Sequence, residues 1–332
     1  MDTAFTRLVG CAVPLQQAGM GGTASAELAV AVANAGALGM LGMPTAPAPE
    51  FEAVLQSVRN RTSSGPGAFG VHFLVPFLDR DAAEVAAGVA RVVEFFYGDP
   101  DPSLVALAHE GGALASWQVG SVDEARSAAD SGCDLVVAQG CEAGGHVRGR
   151  VGMLALVELV LDAVDVPVLA AGGIGSPRAM AAVLAAGASG ARIGTRFVAA
   201  DEADTHPAYA DALAGAQPED TVVTTTFGRR GPTRRTGCCG RASTRPTTST
   251  TTWRATWSFP TGAALPCRGF PHPLRAGTPP AASTPWRSMQ ASPWRTSTAA
   301  NPPRTSCASL PLAPKSSWRN GGDAAHREPS SS

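Results

Sequence analysis

Residues 1–228 predict an α/β domain, a parallel (β/α)8 (TIM) barrel, and three observations carry that reading. Eight short apolar runs alternate with segments whose apolar residues recur at helical spacing. The runs are continuous Val/Ala/Leu stretches rather than alternations, as in parallel strands covered on both faces. Eight β/α units in about 230 residues also match the size of a compact barrel. A doubly wound open sheet repeats the same units and is the weaker alternative.

In chain order, the strands are expected at Leu8–Val13, Leu38–Leu41, Phe69–Val75, Val92–Tyr97, Ala113–Gln118, Asp134–Ala138, Val166–Ala171 and Gly190–Ile193. Between them, Leu28/Val32/Ala35, Leu154/Val157/Leu161 and Met180/Val183/Leu184 mark the buried faces of helices. Ser25, Asp123 and Ser176 fall near helix starts, where a side-chain oxygen takes up an unpaired backbone N–H. Gly36, Gly132 and Gly187 fall near helix ends.

The bland totals of the 332-residue chain, 26 basic against 27 acidic residues, hide a break at 228/229. Residues 1–228 hold 11 Arg, no Lys and 25 acids, a net charge of −14. Residues 229–332 hold 14 Arg, Lys315 and only two acids, a net charge of +13. That second stretch has no Val, Ile or Tyr, yet carries 15 of the 27 Pro and five of the six Trp. With four Leu and two Phe it buries too little apolar surface to offset its ordering entropy. The expected organisation is one globular domain followed by a tail that does not fold. No run of about 18 apolar residues predicts a membrane span. The opening MDTAFTRLVGC lacks the charged and apolar regions of a secretory signal. Cys11, Cys133 and Cys141 are scattered without CxxC spacing, which suits a reducing cytoplasm.

Barrels of this kind collect function on the loops after their strands. Those loops here are Gln17–Gly22, the segment around His72, Gln139–His146, Ala170–Gly175 and Arg192–Thr195. The last two follow consecutive strands, the usual phosphate seat. Gly172, Gly173 and Gly194 remove side chains so that backbone N–H groups approach phosphate oxygens, and Thr195 and Arg192 add donors. Singly these glycines are turns; the pair, with Gly173 and Arg192 nineteen residues apart, points to a phosphate-bearing ligand. His146 stands in a glycine-rich loop and is the natural general base near neutral pH, against a solvated or structural histidine as the plainer reading. Gln139 offers both a donor and an acceptor to a heterocycle edge. Glu142 reads as an acid/base or a solvated loop charge, His109 and His206 as surface residues, and Cys141 as a small filler.

Three stretches, QGCEAGGH (Gln139–His146), VLAAGGI (Val168–Ile174) and GARIGTRF (Gly190–Phe197), together resemble the nitronate monooxygenase family. The resemblance covers essentially all of residues 1–228. It implies an FMN-dependent barrel that oxidises alkyl nitronates or nitroalkanes with dioxygen to a carbonyl compound and nitrite. It also implies small-molecule partners, with no nucleic acid and no membrane. By motif, Gln139 and Gly144 match contacts to the flavin ring and ribityl chain. Gly172, Gly173, Arg192, Ile193, Gly194 and Thr195 match the phosphate and ribityl site, and His146 matches the catalytic base. Met20 matches the methionine of a strand-1 APMGG element, with Gly19 in place of its proline, and His72 stands where many members carry an FMN-contacting Asn. A flavin-dependent enoyl-acyl-carrier-protein reductase shares this barrel and is the alternative activity. An inactive, frame-damaged product is the alternative of another class.

Two readings of residues 229–332 compete: a basic arm for anionic partners, or codons read out of register. Moving the frame one base upstream turns Thr codons into Asp, Asn, His or Tyr, and Trp codons into Val, Leu or Met. The segment GPTRRTGCCG, from Gly231, then allows WPDAPHRVLR, which looks like ordinary globular sequence. A frameshift between Phe227 and Gly231 is the expectation. Cys238, Cys239, Cys267 and Cys307, with His272, then need no metal site, and their spacing matches no zinc pattern.

Overall fold

The computed structural model describes residues 1–42 and 47–224, and beyond them only the backbone of three short strands. Everything described belongs to the first of two compact units, Met1–Pro285; the second, Trp286–Ser332, lies outside the described residues. In order, the elements are α1 (Ala4–Val9), β1 (Leu15–Gln17), α2 (Ala26–Asn34), β2 (Leu38–Leu41), α3 (Ala48–Thr62), β3 (Ala68–Leu74), α4 (Arg80–Val89) and β4 (Val92–Phe96). Then come α5 (Pro102–Glu110), β5 (Leu114–Val119), α6 (Val122–Asp130), β6 (Leu135–Gln139), β7 (Gly145–Val147), α7 (Met153–Leu161), β8 (Val168–Ala171), α8 (Pro177–Ala185), β9 (Gly190–Ile193) and α9 (Thr195–Val198). The remainder are α10 (Pro207–Gly215), β10 (Thr221–Thr224), β11 (Arg235–Cys239), β12 (Thr256–Ser258) and β13 (Ala264–Pro266). Strands β1-β2-β3-β4-β5-β6-β8-β9 close into a parallel barrel, as the sequence predicts.

The first strand is a correction. Leu8 and Val9 belong to helix α1, because Thr3 and Thr6 cap its start reciprocally. The Thr3 hydroxyl accepts from Thr6 N at 3.2 Å, and the Thr6 hydroxyl accepts from Thr3 N at 2.9 Å. The barrel begins only at Leu15. Helix α1 instead closes the barrel floor, packing Phe5 and Val9 on Leu38, Val92, Leu135 and Leu169. Helix starts follow expectation at Ser25 and Ser176, whose hydroxyls accept from Leu28 N and Ala179 N. At α6 the cap is Ser121, and Asp123 sits in the first turn.

Register divides the strand residues between two faces. Partners in parallel strands share a face, so Gln16, Leu38, Met40, Gly70, His72, Glu94, Ser116, Gln118, Val137, Gln139, Leu169 and Arg192 all point into the barrel. The layers near the strand starts are apolar: Leu38, Met40, Val92, Leu135, Val137 and Leu169 are fully buried and cluster together. The layer near the strand ends is polar, built from Gln16, His72, Glu94, Ser116, Gln118, Gln139 and Arg192. Outward-facing Val93, Phe95, Trp117 and Val136 pack under the helices in a second, larger core.

A short antiparallel sheet, β10-β11-β7, joins the Gly145–Val147 segment to the chain beyond the barrel. That segment was expected as a loop; in the structure it is a strand, with His146 opposite Thr236. The frameshift reading and the side chains of the tail cysteines fall outside the described residues.

Candidate functional site

Four loops meet at the mouth of the barrel, and glycines let them touch. A Cβ on Gly144 would stand 2.9 Å from Thr195 Oγ1, so the loop after β6 reaches the turn after β9 only because Gly144 has none. A Cβ on Gly172 would meet Ala143 at 3.4 Å, and one on Gly173 would meet Glu142 at 3.4 Å. A Cβ on Gly194 would meet Ala18 Cβ at 3.4 Å and Met20 Sδ at 3.7 Å, so the strand-1 loop joins the same cluster. Gly172 and Gly173 adopt φ of 113° and 65°, a backbone that favours glycine at both positions. Met20, Gly144, Gly172, Gly173, Gly194 and Thr195 are thereby brought together. Ile193 joins through its backbone alone: its carbonyl accepts from Ala18 N at 2.8 Å, while its side chain is buried in the outer core.

His146 sits on β7 at this mouth, half-buried, with the Tyr97 ring 5.3 Å away and nearly perpendicular at 74°. Gln139, at the end of β6, donates from Nε2 to the His146 carbonyl at 3.0 Å. Its Oε1 is buried and has no protein hydrogen-bond partner. A buried acceptor left unpaired costs stability unless a ligand or solvent donor reaches it. The same holds for Gln16 Oε1, in the polar layer below.

His72 and the Arg192 guanidinium lie beneath the mouth rather than in it. Both are at most 6% exposed and both hold Glu94, which is fully buried. His72 Nδ1 lies 2.7 Å from one Glu94 oxygen and Arg192 Nη1 lies 2.9 Å from the same oxygen. Gln16 Nε2 donates to the other at 2.8 Å, Ser116 Oγ at 3.4 Å, and Arg192 also donates to Gln118 Oε1. Burial alone would raise the Glu94 carboxyl, but Arg192 and the His72 and Gln16 hydrogen bonds outweigh it and hold the group down at about 2. Burial pushes the His72 imidazole below its ordinary value, so it is neutral and donates Nδ1–H to Glu94. Of the two donors expected from Arg192, backbone or guanidinium, the guanidinium is engaged below the mouth. Arg192 occupies an inward register position, opposite Gln16 and Ala171, and its charge is spent on Glu94.

Glu94, Gln16, Ser116 and Gln118 were not anticipated; the available signal was one acid inside an otherwise apolar strand, VVEFF. His72 also supports the strand-1 loop: a Cβ on Gly19 would clash with His72 Cβ and come within 2.9 Å of the Leu41 carbonyl. The remaining candidates take the plainer of their readings. Glu142 accepts from Met153 N at 2.9 Å and caps α7, which has no side-chain cap of its own. His109 pairs with Asp134 at 2.9 Å on the surface, and exposed His206 caps α10. Cys141 is half-buried, and Cys11, Cys133 and Cys141 are all free thiols. Among the described residues no helix is long and apolar enough to cross a membrane. An orphaned amide acceptor beside a side-chain-free glycine cradle suits a ligand that carries a ring N–H and a phosphate.

A model of the family described as nitronate monooxygenase matches residues 2–87 and 75–254. A Mycobacterium tuberculosis (strain ATCC 25618 / H37Rv) protein described as (3aS,4S,5R,7aS)-5-hydroxy-7a-methyl-1-oxo-octahydro-1H-indene-4-carboxyl-CoA dehydrogenase is 37% identical over 229 residues. That alignment takes in 68% of this chain but 63% of the relative, so the chain spans under two thirds of the relative's length. The solved structure of FabK from Thermotoga maritima superposes with a TM-score of 0.66 at 32% identity, covering 72% of this chain and 75% of that one. Nitroalkane oxidase from Streptomyces ansochromogenes superposes with a TM-score of 0.61 at 31% identity, covering 71% and 78%.

Proposed function

The chain belongs to the nitronate monooxygenase family of oxidoreductases, and we propose that it is an FMN enzyme oxidising alkyl nitronates or nitroalkanes. The observation that carries the proposal is the meeting of His146, the orphaned Gln139 acceptor and the glycine cradle at one mouth. These residues fit FMN: Gln139 Oε1 would accept a ring N–H, Gly144 and Met20 would border the ribityl chain, and Gly172, Gly173, Gly194 and Thr195 would hold the phosphate. The bound flavin would supply electron acceptance from the nitronate and its own reoxidation by dioxygen.

The protein's part is positional and acid–base. His146 takes the proton from the carbon next to the nitro group of a neutral nitroalkane, leaving the nitronate. Gln139, by donating to the His146 carbonyl, fixes the backbone of the base and aims its own acceptor into the site in the same stroke. The polar layer under the mouth holds the strand-1 loop through the His72–Gly19 contact. His146→Asn should lose turnover of neutral nitroalkanes far more than of preformed nitronates, with FMN content kept. Equal losses on both substrates would remove the base assignment.

A second reading follows from the likeness to FabK and to a CoA-thioester dehydrogenase. In it the same mouth reduces an enoyl thioester. NADH consumption with an enoyl thioester, and none of the nitronate activity, would establish it. We place the chain in a reducing cytoplasm on the three free thiols among the described residues. We also propose that residues from about 229 on are out of frame. The reading rests on the switch from −14 to +13 at 228/229; the relative's alignment takes in 68% of the chain, while the family model's match runs on to residue 254. The coding DNA across codons 225–235 tests it directly: a base gained or lost supports the frameshift, and an intact frame restores the basic arm.

A further inference from the structure

Tyr97 is the one non-glycine residue among those described with a left-handed backbone, at φ 65°. A tyrosine gains nothing from that conformation, and it persists where the surroundings over-determine it. Here they do so from both sides. Phe96 ends β4 in register with Leu74, inside the barrel. Two residues on, Gly98 is pressed against Val75, where a Cβ would stand 2.7 Å from the valine side chain, and its carbonyl accepts from the Trp117 indole at 3.2 Å. Only a sharp turn at Tyr97 joins these two fixed points.

The turn delivers the ring to a definite place. Tyr97 stands edge-on between Phe96, at 5.2 Å and 87°, and His146, at 5.3 Å and 74°. The same offset recurs two residues further along both segments: Asp99 pairs with Arg148, whose Nε also donates to Glu124 at 2.6 Å. Arg148 directly follows β7 and Asp99 follows the β4 tip, so Tyr97 meets His146 and Asp99 meets Arg148 at the same two-residue step. Val147, between His146 and Arg148, is fully buried.

We propose that Tyr97 is a positioning residue: the strained β4 tip, braced by the Asp99–Arg148 pair, sets where the His146 imidazole stands over the site. The proposal deepens the reading of His146 as the base and names the device that aims it. The test compares Tyr97→Gly, which keeps the backbone turn and removes the ring, with Tyr97→Phe, which keeps both. In the full chain, the His146 imidazole resonances (assigned by their loss in His146→Asn) should move or broaden in Tyr97→Gly and stay in place in Tyr97→Phe. Turnover of neutral nitroalkane should fall about tenfold to a hundredfold in the glycine variant, in kcat rather than KM, with Phe restoring it. Preformed nitronate should be turned over as before. Tyr97→Asn, whose side chain tolerates the left-handed turn, repeats the comparison if the glycine variant is poorly folded. His146 resonances unmoved by loss of the ring would overturn the proposal. Resonances that move while neither substrate's turnover changes would uphold the positioning and sink the base assignment instead.

Discussion

Replacing Glu94 by Gln tests whether the charge inside the barrel supports the fold. The substitution keeps the shape of the side chain and removes its charge. Arg192, buried beside it, is left without a counter-ion, since its only ion-pair partner among the described residues is Glu94. Breaking a buried pair from one side costs about 3–5 kcal/mol, because the remaining charge stays desolvated. For a domain of this size that is a fall in Tm of roughly 6–20 °C. The pH dependence gives an independent magnitude. Glu94 titrates at about 2 rather than 4.5. At about 1.4 kcal/mol per pH unit, the difference is worth about 3 kcal/mol of folding free energy. The sign follows from the direction. Above pH 4.5 the carboxylate is charged in both folded and unfolded chains, and the whole contribution is present. Between 4.5 and 2 the unfolded chain takes up the proton first, so stability falls with pH, and below 2 the contribution is gone. His72 adds an earlier limb: its folded imidazole is held below the ordinary 6.5, so the unfolded chain protonates first as pH falls through that value.

Urea and thermal unfolding, followed by far-ultraviolet circular dichroism from pH 7 down to pH 3, read both quantities. Glu94→Gln should lose several kcal/mol at pH 7 and flatten the limb below pH 4.5. Adding Arg192→Met should recover much of the loss, since the stranded charge goes with it. A loss below about 1 kcal/mol, or an unchanged acid limb, would show that water reaches the pair and that the network is not the dry charge cluster described.

Other substitutions separate the mouth from the layer beneath it. Gly173→Asn, whose side chain tolerates the φ of 65° at this exposed position, should leave the fold intact yet abolish FMN retention by filling the cradle; flavin absorbance of the purified chain reads this. Gly19→Ala should cost about 1–3 kcal/mol and flavin content together, because the new methyl meets His72 and the Leu41 carbonyl. Burial pushes the Cys11 thiol up to about 11 and the Cys133 thiol to about 12. At pH 8, alkylation mapped by mass spectrometry should therefore mark half-buried Cys141 well before either.

The barrel was legible because its strands are apolar runs punctuated by glycine and serine, and seven of the eight fall within two residues of where those runs predict them. The first failed because LVGCAV reads as a strand while Thr3 and Thr6, three apart, make the helix cap that claims Leu8 and Val9. The mouth was legible for the same local reason: glycines at strand ends mark close backbone approach. The layer beneath it was not. Its residues come one or two from each of six strands, so no window of sequence contains the cluster, and only the register shows that Gln16, His72, Glu94, Ser116 and Arg192 share a face. Tyr97 left no trace either, since nothing local distinguishes a tyrosine that will be forced left-handed by Val75 and Trp117.

That division has a consequence for how the site works. Glu94 carries one negative charge, Arg192 one positive charge, and His72 none, so the polar layer is neutral as a whole at pH 7. It therefore adds little net field at the mouth, and the phosphate of a bound nucleotide would be held by backbone groups and Thr195 rather than by a buried cation. Its contribution is stiffness: every member but Gln139 is tied to Glu94 directly or through Arg192, and the strand-1 loop rests on His72 without a methyl group to spare. A mouth built from glycine would otherwise be the most pliable part of the barrel. Set on a cross-linked polar layer below and braced by the Tyr97–Asp99 tip beside it, it presents Gln139 and His146 at fixed positions. A base that must meet one proton on one carbon needs that fixity more than it needs charge.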